Sequence, residues 1–265
     1  MATVVSATAA EQRFVVAIDG TASPSALTSK EFLLSLPSGA YTTARTCSRG
    51  TRVFEWNTHV DRTAASVAAM INEADASAAP NEADATMALL EGLARPERLK
   101  PRLEATVAAA KKQYIDAFGD ESELKLTLLV SWRGSGKEQL AEEPPQQCEM
   151  GSVACHVAPL PPLPASPVCV EVRGAPRANA LAKDSAWIAE RAPLEALMAA
   201  AALPAGVMNE LLLQTADGEL LEGVRSGRRW QRLSQRRQSR RRLSRRRLSR
   251  RRQSRRRQRR RRRQG

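Results

Sequence analysis

The last 42 residues, Val224–Gly265, hold 23 arginines and no aspartate or glutamate. From Gln231 they run as a five-residue repeat, QRLSQ RRQSR RRLSR RRLSR RRQSR RRQRR RRRQG. Such a segment repels itself and has almost no apolar side chain after Trp230, so it cannot bury enough surface to offset the entropy of ordering; disorder is expected. A fold must therefore be built from the first 223 residues. They carry the remaining 19 of the chain's 42 basic residues and all 28 acidic ones, a net charge of −9, although the whole chain stands at +14. An acidic body does not suit a nucleic acid backbone. Nucleic acid or another acidic surface enters only through the tail, nonspecifically, by counterion release. The Arg-Arg-x-Ser units around Ser239, Ser244, Ser249 and Ser254 also resemble sites of basophilic kinases, where a phosphate would cut the charge. A GC-rich stretch read in a wrong frame, or through a retained intron, would give the same kind of repeat.

Other classes are narrowed by what the body contains. Cys47, Cys148, Cys155 and Cys169 have neither redox-motif nor zinc-knuckle spacing, so reduced thiols and an intracellular setting, cytoplasm or plastid, are expected, with no metal site. No apolar run reaches the ~18 residues of a membrane span. Met1–Gln12 lacks the apolar core of a secretory signal, and its Ala/Thr/Ser bias points at most to an organelle signal. Gly136-Lys137 sits in a polar loop over 134–147, but the full phosphate-loop spacing is absent and Glu138 stands where a hydroxyl is needed.

Along the chain, Arg13–Ile18 reads as a strand stopped by Asp19-Gly20. Thr28 and Glu31 frame a capping box for a short helix carrying Leu33, Leu34 and Leu36. A hairpin follows, with Gly39–Thr46 and Arg52–Trp56 joined by Arg49-Gly50-Thr51. A helix begins near Asn57-Thr58, and a break is expected at Ala79-Pro80. Glu82–Leu93 and Pro96–Phe118 read as helices, the second with Leu99, Leu103, Val107 and Ala110 at helical intervals. Strands are expected at Leu124–Trp132 and Ser152–Val157, and the Pro-rich 160–167 is the best linker. The organisation is then a disordered 1–12, an N-terminal α/β domain over 13–159, a linker over 160–167, a partial C-terminal domain over 168–223 and a disordered tail over 224–265.

Chemistry concentrates in two places. One is His59-Val60-Asp61-Arg62-Thr63-Ala64-Ala65-Ser66 on the helix after the hairpin. The other runs from a strand at Val168–Val172 through Lys183-Asp184-Ser185-Ala186-Trp187, a helix and a strand at Glu210–Leu213 to Asp217-Gly218-Glu219-Leu220-Leu221-Glu222-Gly223. Taken singly, each charged residue has an ordinary reading. Lys183 suits an exposed helix start, Glu222 a strand-end charge, and Arg62 a helix residue covering apolar surface; His59 suits a packed or capping position.

Taken in order, these motifs resemble the class IV (branched-chain and D-amino-acid type) pyridoxal-phosphate aminotransferases. H-x-x-R-[LA]-x-x-S, a lysine before a polar-then-apolar helix start, and D-x-x-G-x-[LV]-x-E-G are the family's patterns. Here Thr63 replaces the usual Leu, and Asp217 adjoins Gly218. The Lys-Asp-Ser-x-Trp form is similar to the plant and algal branch. The resemblance covers roughly Gly39–Arg62 and Ser166–Gly223. It implies a two-domain α+β fold and pyridoxal 5'-phosphate. Lys183 would condense with the cofactor aldehyde, Arg62 would grip its phosphate, and Glu222 would face its pyridine nitrogen. It also implies amino transfer between an amino acid and a 2-oxo acid, in a homodimer, or 4-amino-4-deoxychorismate lyase chemistry within the same family. The family continues after the acid with Ser/Thr and Asn, whereas this chain reads Val224-Arg225-Ser226. A truncated second domain, weak cofactor binding and poor turnover are therefore expected. An inactive relative whose tail binds RNA is the alternative.

Overall fold

The computed structural model describes residues 13–75, 90–119, 122–132, 151–162, 168–177, 182–201 and 208–224. The expectations for the N-terminal segment, Ala79-Pro80, most of Glu82–Leu93, the 134–147 loop, Cys148, part of the Pro-rich linker and the tail from Arg225 lie outside these residues. The chain is a mixed α+β protein that divides into two compact units. One comprises Met1–Ala165 and Ala178–Pro193, the other Ser166–Arg177 and Leu194–Gly265. The chain thus leaves the first unit near the linker, returns to it for the segment that carries Lys183, and leaves again.

The first unit is built on a six-stranded antiparallel sheet. Its strands are β1 (Phe14–Ile18), β2 (Thr21–Ser25), β3 (Gly39–Cys47), β4 (Arg52–Val53), β5 (Leu124–Ser131) and β6 (Ser152–Pro159), in the order β2-β1-β6-β5-β3-β4. β1 stops at Asp19-Gly20 as expected, but an unexpected strand, β2, follows the stop. Those two residues take φ of 45° and 85°, the left-handed pair of a tight hairpin turn, and fold the chain back on β1. The sequence TASPS is a poor strand by propensity. It survives because β2 is an edge, where Pro24 costs no ladder bond.

Helix α1 (Ser29–Leu34) starts with the expected box. Thr28 Oγ1 accepts from the Glu31 N–H, and the Glu31 carboxylate accepts from the Thr28 N–H. Helix α2 (Trp56–Asp75) follows the β3–β4 hairpin. The second hairpin strand is shorter than expected, because Glu55 takes a φ of 50° and Trp56 already opens the helix. Helix α3 (Pro96–Phe118) spans the expected range and stops at Gly119, whose φ of 59° is the left-handed C-cap.

Period-2 alternation sends the side chains of the central strands to two covered faces. On one, α2 and α3 press Val60, Ala64, Val67, Leu99, Leu103 and Ala110 onto Ala40, Leu126, Leu128, Val130 and Cys155. On the other, Phe32 and Leu33 of α1 and Ile188 meet Tyr41, Leu129 and Ala154. The central β5 is buried on both sides, which is why it reads as an apolar run.

The second unit has a three-stranded sheet, β7 (Cys169–Val172), β8 (Met208–Gln214) and β9 (Leu220–Gly223). β7 and β8 are parallel, as a crossover allows, and β8 and β9 are antiparallel across the turn at Asp217-Gly218. The single helix expected after Lys183 is two, α4 (Trp187–Glu190) and α5 (Ala192–Ala200). Pro193 has no N–H to continue the α4 ladder, so the chain restarts there.

Gly39 opens β3 where no side chain fits. A Cβ there would lie 2.1 Å from the Val130 carbonyl oxygen and 2.7 Å from Ser131 Cα, both backbone. Gly39→Ala is expected to destabilise the chain by about 2 kcal/mol or more. The check is a lower urea midpoint at unchanged slope.

Candidate functional site

β3 pairs with β5 along one side from Gly39 to Arg45. Its other side is shared. β4 takes the far end at Thr46 and Cys47, and the segment around Lys183 takes the near end. There the Tyr41 N–H donates to the Lys183 carbonyl at 2.9 Å, and Asp184 bridges Ala40. The Ser185 N–H donates to the Gly39 carbonyl at 2.9 Å, and the Gly39 N–H to Ser185 Oγ at 2.9 Å. Lys183 therefore lies beside a strand, held by a ladder-like set of bonds, with fully buried Ala182 just before it.

The lysine side chain reaches the Tyr41 ring. Its Nζ stands 4.9 Å from the centroid of the Tyr41 ring, whose face attracts a cation. The next residue, Thr42, points to the opposite side and meets α2. Arg62 Nη2 donates to Thr42 Oγ1 and, at 3.1 Å, to His59 Nδ1; Thr42 Oγ1 and His59 Nδ1 are 3.0 Å apart. His59, Arg62 and Ser66 recur at intervals of three and four, so one helix face presents all three. Ser66 Oγ donates to the Arg62 carbonyl at 2.9 Å and accepts the Lys183 N–H at 3.0 Å.

The imidazole is neutral in this company. Burial first, then the charges of Arg62 and Lys183, push the His59 pKa down to about 4. A guanidinium only donates, so Nδ1 must offer its lone pair and the ring proton sits on Nε2. His59 thus acts as an acceptor that orients Arg62. Cys155 is no rival nucleophile, because burial pushes its thiol up to about 12.

Glu222 belongs to the second unit. It sits on β9, 5 % exposed, and is held by a residue that the sequence reading passed over. Arg177 donates from Nε to one carboxylate oxygen at 2.6 Å and from Nη2 to the other at 3.2 Å, a two-pronged ion pair. The two side chains are 8 % and 6 % exposed. The available signal was that a carboxylate at a buried strand position requires a cation. No spacing rule connects positions 177 and 222. Tyr41 and Thr42, likewise, read only as strand formers. Among the described residues no group of three His, Cys, Asp or Glu side chains converges, and no helix is long and apolar enough to cross a membrane.

No protein-family model and no curated protein matches the chain. Among solved structures it is similar to a branched-chain aminotransferase from Thermoproteus uzoniensis, solved with norvaline. The identity is 19 % over 79 % of this chain and 62 % of that one, with a TM-score of 0.45. It is also similar to a fold IV-transaminase from Curtobacterium pusillum, at 16 % identity over 80 % and 66 % of the two chains and a TM-score of 0.47. A hypothetical aminotransferase from Mycobacterium tuberculosis in its PLP-bound form gives 17 %, 80 %, 66 % and 0.46. The chain spans about three fifths of the length of the archaeal enzyme.

Two outcomes follow from these contacts. Folded His59 has a pKa near 4 against an ordinary 6.5, so the folded state binds fewer protons in between, and stability is lost as pH falls from 6.5 towards 4. Burial lowers His156 as well, so the test is a difference. His59→Gln should flatten the fall in thermal midpoint over that window relative to the parent chain. Arg177→Met strands a buried carboxylate and should cost about 3–5 kcal/mol, whereas Arg177→Met with Glu222→Met should recover much of it. Denaturant titration of the three proteins measures both.

Proposed function

We propose that this chain is an aminotransferase-like protein using pyridoxal 5'-phosphate, with Lys183 as the amine that binds the cofactor aldehyde. The observation that carries this is the setting of Lys183: pinned at the β3 edge, over Tyr41, with its N–H on Ser66, one helical turn after Arg62. An amine, a guanidinium, a neutral imidazole and a hydroxyl form a donor set suited to an anionic aldehyde. Arg62, steadied by His59 and Thr42, would hold the phosphate. Glu222, whose carboxylate Arg177 orients, would hold a proton at the pyridine nitrogen.

When bound, the cofactor supplies an electron sink for the carbanion at the amino acid's α-carbon. Lys183 Nζ would carry the α-proton. The Tyr41 ring beneath Nζ restricts where that amine can swing. Substrates are an amino acid and a 2-oxo acid. The homodimer belongs to the same proposal, and 4-amino-4-deoxychorismate cleavage is the competing reaction within it.

The test is to load the recombinant chain with pyridoxal phosphate, reduce with borohydride and map the adduct. A single adduct at Lys183, absent with the visible absorbance in Lys183→Ala, is expected. Labels scattered over surface lysines and unchanged in Lys183→Ala would overturn the reading. Arg62→Gln should weaken cofactor binding about 10- to 100-fold, as loss of a charge-assisted contact does. Amino-group exchange between amino acids and 2-oxo acids, run beside 4-amino-4-deoxychorismate, then separates transferase from lyase.

A further inference from the structure

We infer that Ser66 is a positioning residue, which locks the backbone of Lys183 to the helix turn that carries Arg62. The inference rests on the aminotransferase reading, since it joins the two residues assigned there to the aldehyde and to the phosphate.

Ser66 is 2 % exposed and lies one helical turn after Arg62. A helical serine that donates back to the carbonyl four residues earlier gains little by it, because that carbonyl already has a ladder partner. Here the bond has a second consequence. With the hydroxyl hydrogen committed to the Arg62 carbonyl at 2.9 Å, an oxygen lone pair faces outward and accepts the Lys183 N–H at 3.0 Å. The two partners are 117 residues apart in sequence.

Lys183 is consequently held by both of its peptide groups. Its N–H goes to α2 through Ser66, and its carbonyl goes to β3 through the Tyr41 N–H at 2.9 Å. The residues on either side add to this, with Ala182 fully buried and Ser185 doubly bonded to Gly39. Of these ties, only the Ser66 bridge runs to the helix of Arg62. Removing it leaves the strand-edge pairing in place and frees the lysine peptide relative to that helix. A side chain over an aromatic ring, on a backbone free to tilt, would present Nζ in a spread of directions. Reaction at one fixed point then slows, because orientation is lost before any contact is.

The experiment compares the parent chain with Ser66→Ala, Ser66→Cys and Ser66→Thr by two readouts. The first is amide hydrogen exchange of the cofactor-free chain at Lys183, with β5 and β6 as internal reference. The second is the rate of borohydride-trapped pyridoxyl adduct at Lys183 at limiting pyridoxal phosphate. Ser66→Ala should speed exchange at Lys183 about tenfold, leave β5 and β6 protected, and slow the adduct about tenfold, as loss of one buried hydrogen bond allows. Ser66→Thr, which keeps the hydroxyl, should restore both. A purely structural serine would change protection without changing the adduct rate, and that result overturns the inference. So does an adduct rate in Ser66→Ala equal to that of the parent. If Ser66→Ala loses protection throughout the sheet, Ser66→Cys, with similar volume and a weak hydrogen bond, decides on the same criteria. Absence of any Lys183 adduct in the parent is a different failure and overturns the aminotransferase reading itself.

Discussion

The candidate site depends on who occupies the outer edge of β3. A sheet edge offers unpaired N–H and C=O groups to any passing chain. On β3 this offer is divided. The hairpin partner β4 is only Arg52–Val53 and pairs with Thr46 and Cys47 alone. Residues 39–41 are left for Lys183–Ser185. Glu55, at a φ of 50°, ends the hairpin early and turns the chain into α2, which packs back against β3. The short β4 thus has two effects. It leaves the edge open for the lysine segment, and it starts the arginine helix soon enough to lie beside it.

Charge and burial together set the protonation of His59. Two cations, Arg62 and Lys183, act on one half-buried imidazole, which stays neutral because protonation would add a third positive charge in a partly desolvated place. Thr42, fully buried, accepts from the guanidinium and limits its freedom. The second unit shows the opposite arrangement. Glu222 and Arg177 are almost fully enclosed and neutralise one another through two bonds.

Legibility followed the range of the signal. Helix α3 and strands β5 and β6 were plain, because periodicity and apolar runs are written in consecutive residues. The capping box of α1 was plain for the same reason. Strand β2 was missed because its residues argue against it, and the Asp19-Gly20 turn overrides them by delivering the chain to β1. Arg62, Lys183 and Glu222 were picked out by motif and order. Arg177, Tyr41 and Thr42 were not, since each gains its role from a partner distant in the chain.

The sequence by itself determined the acidic body and the arginine repeat, most of the strands and helices, and the three residues on which the functional reading turns. Only the tertiary structure decided that Lys183 joins the unit of Arg62 while Glu222 belongs to the other, and that Ser66 and Tyr41 hold the lysine peptide from two sides. The physical reason is that these attachments are made largely by backbone N–H and C=O groups. Every residue carries the same ones, so their partners are set by where the chain is brought and not by which side chain stands there.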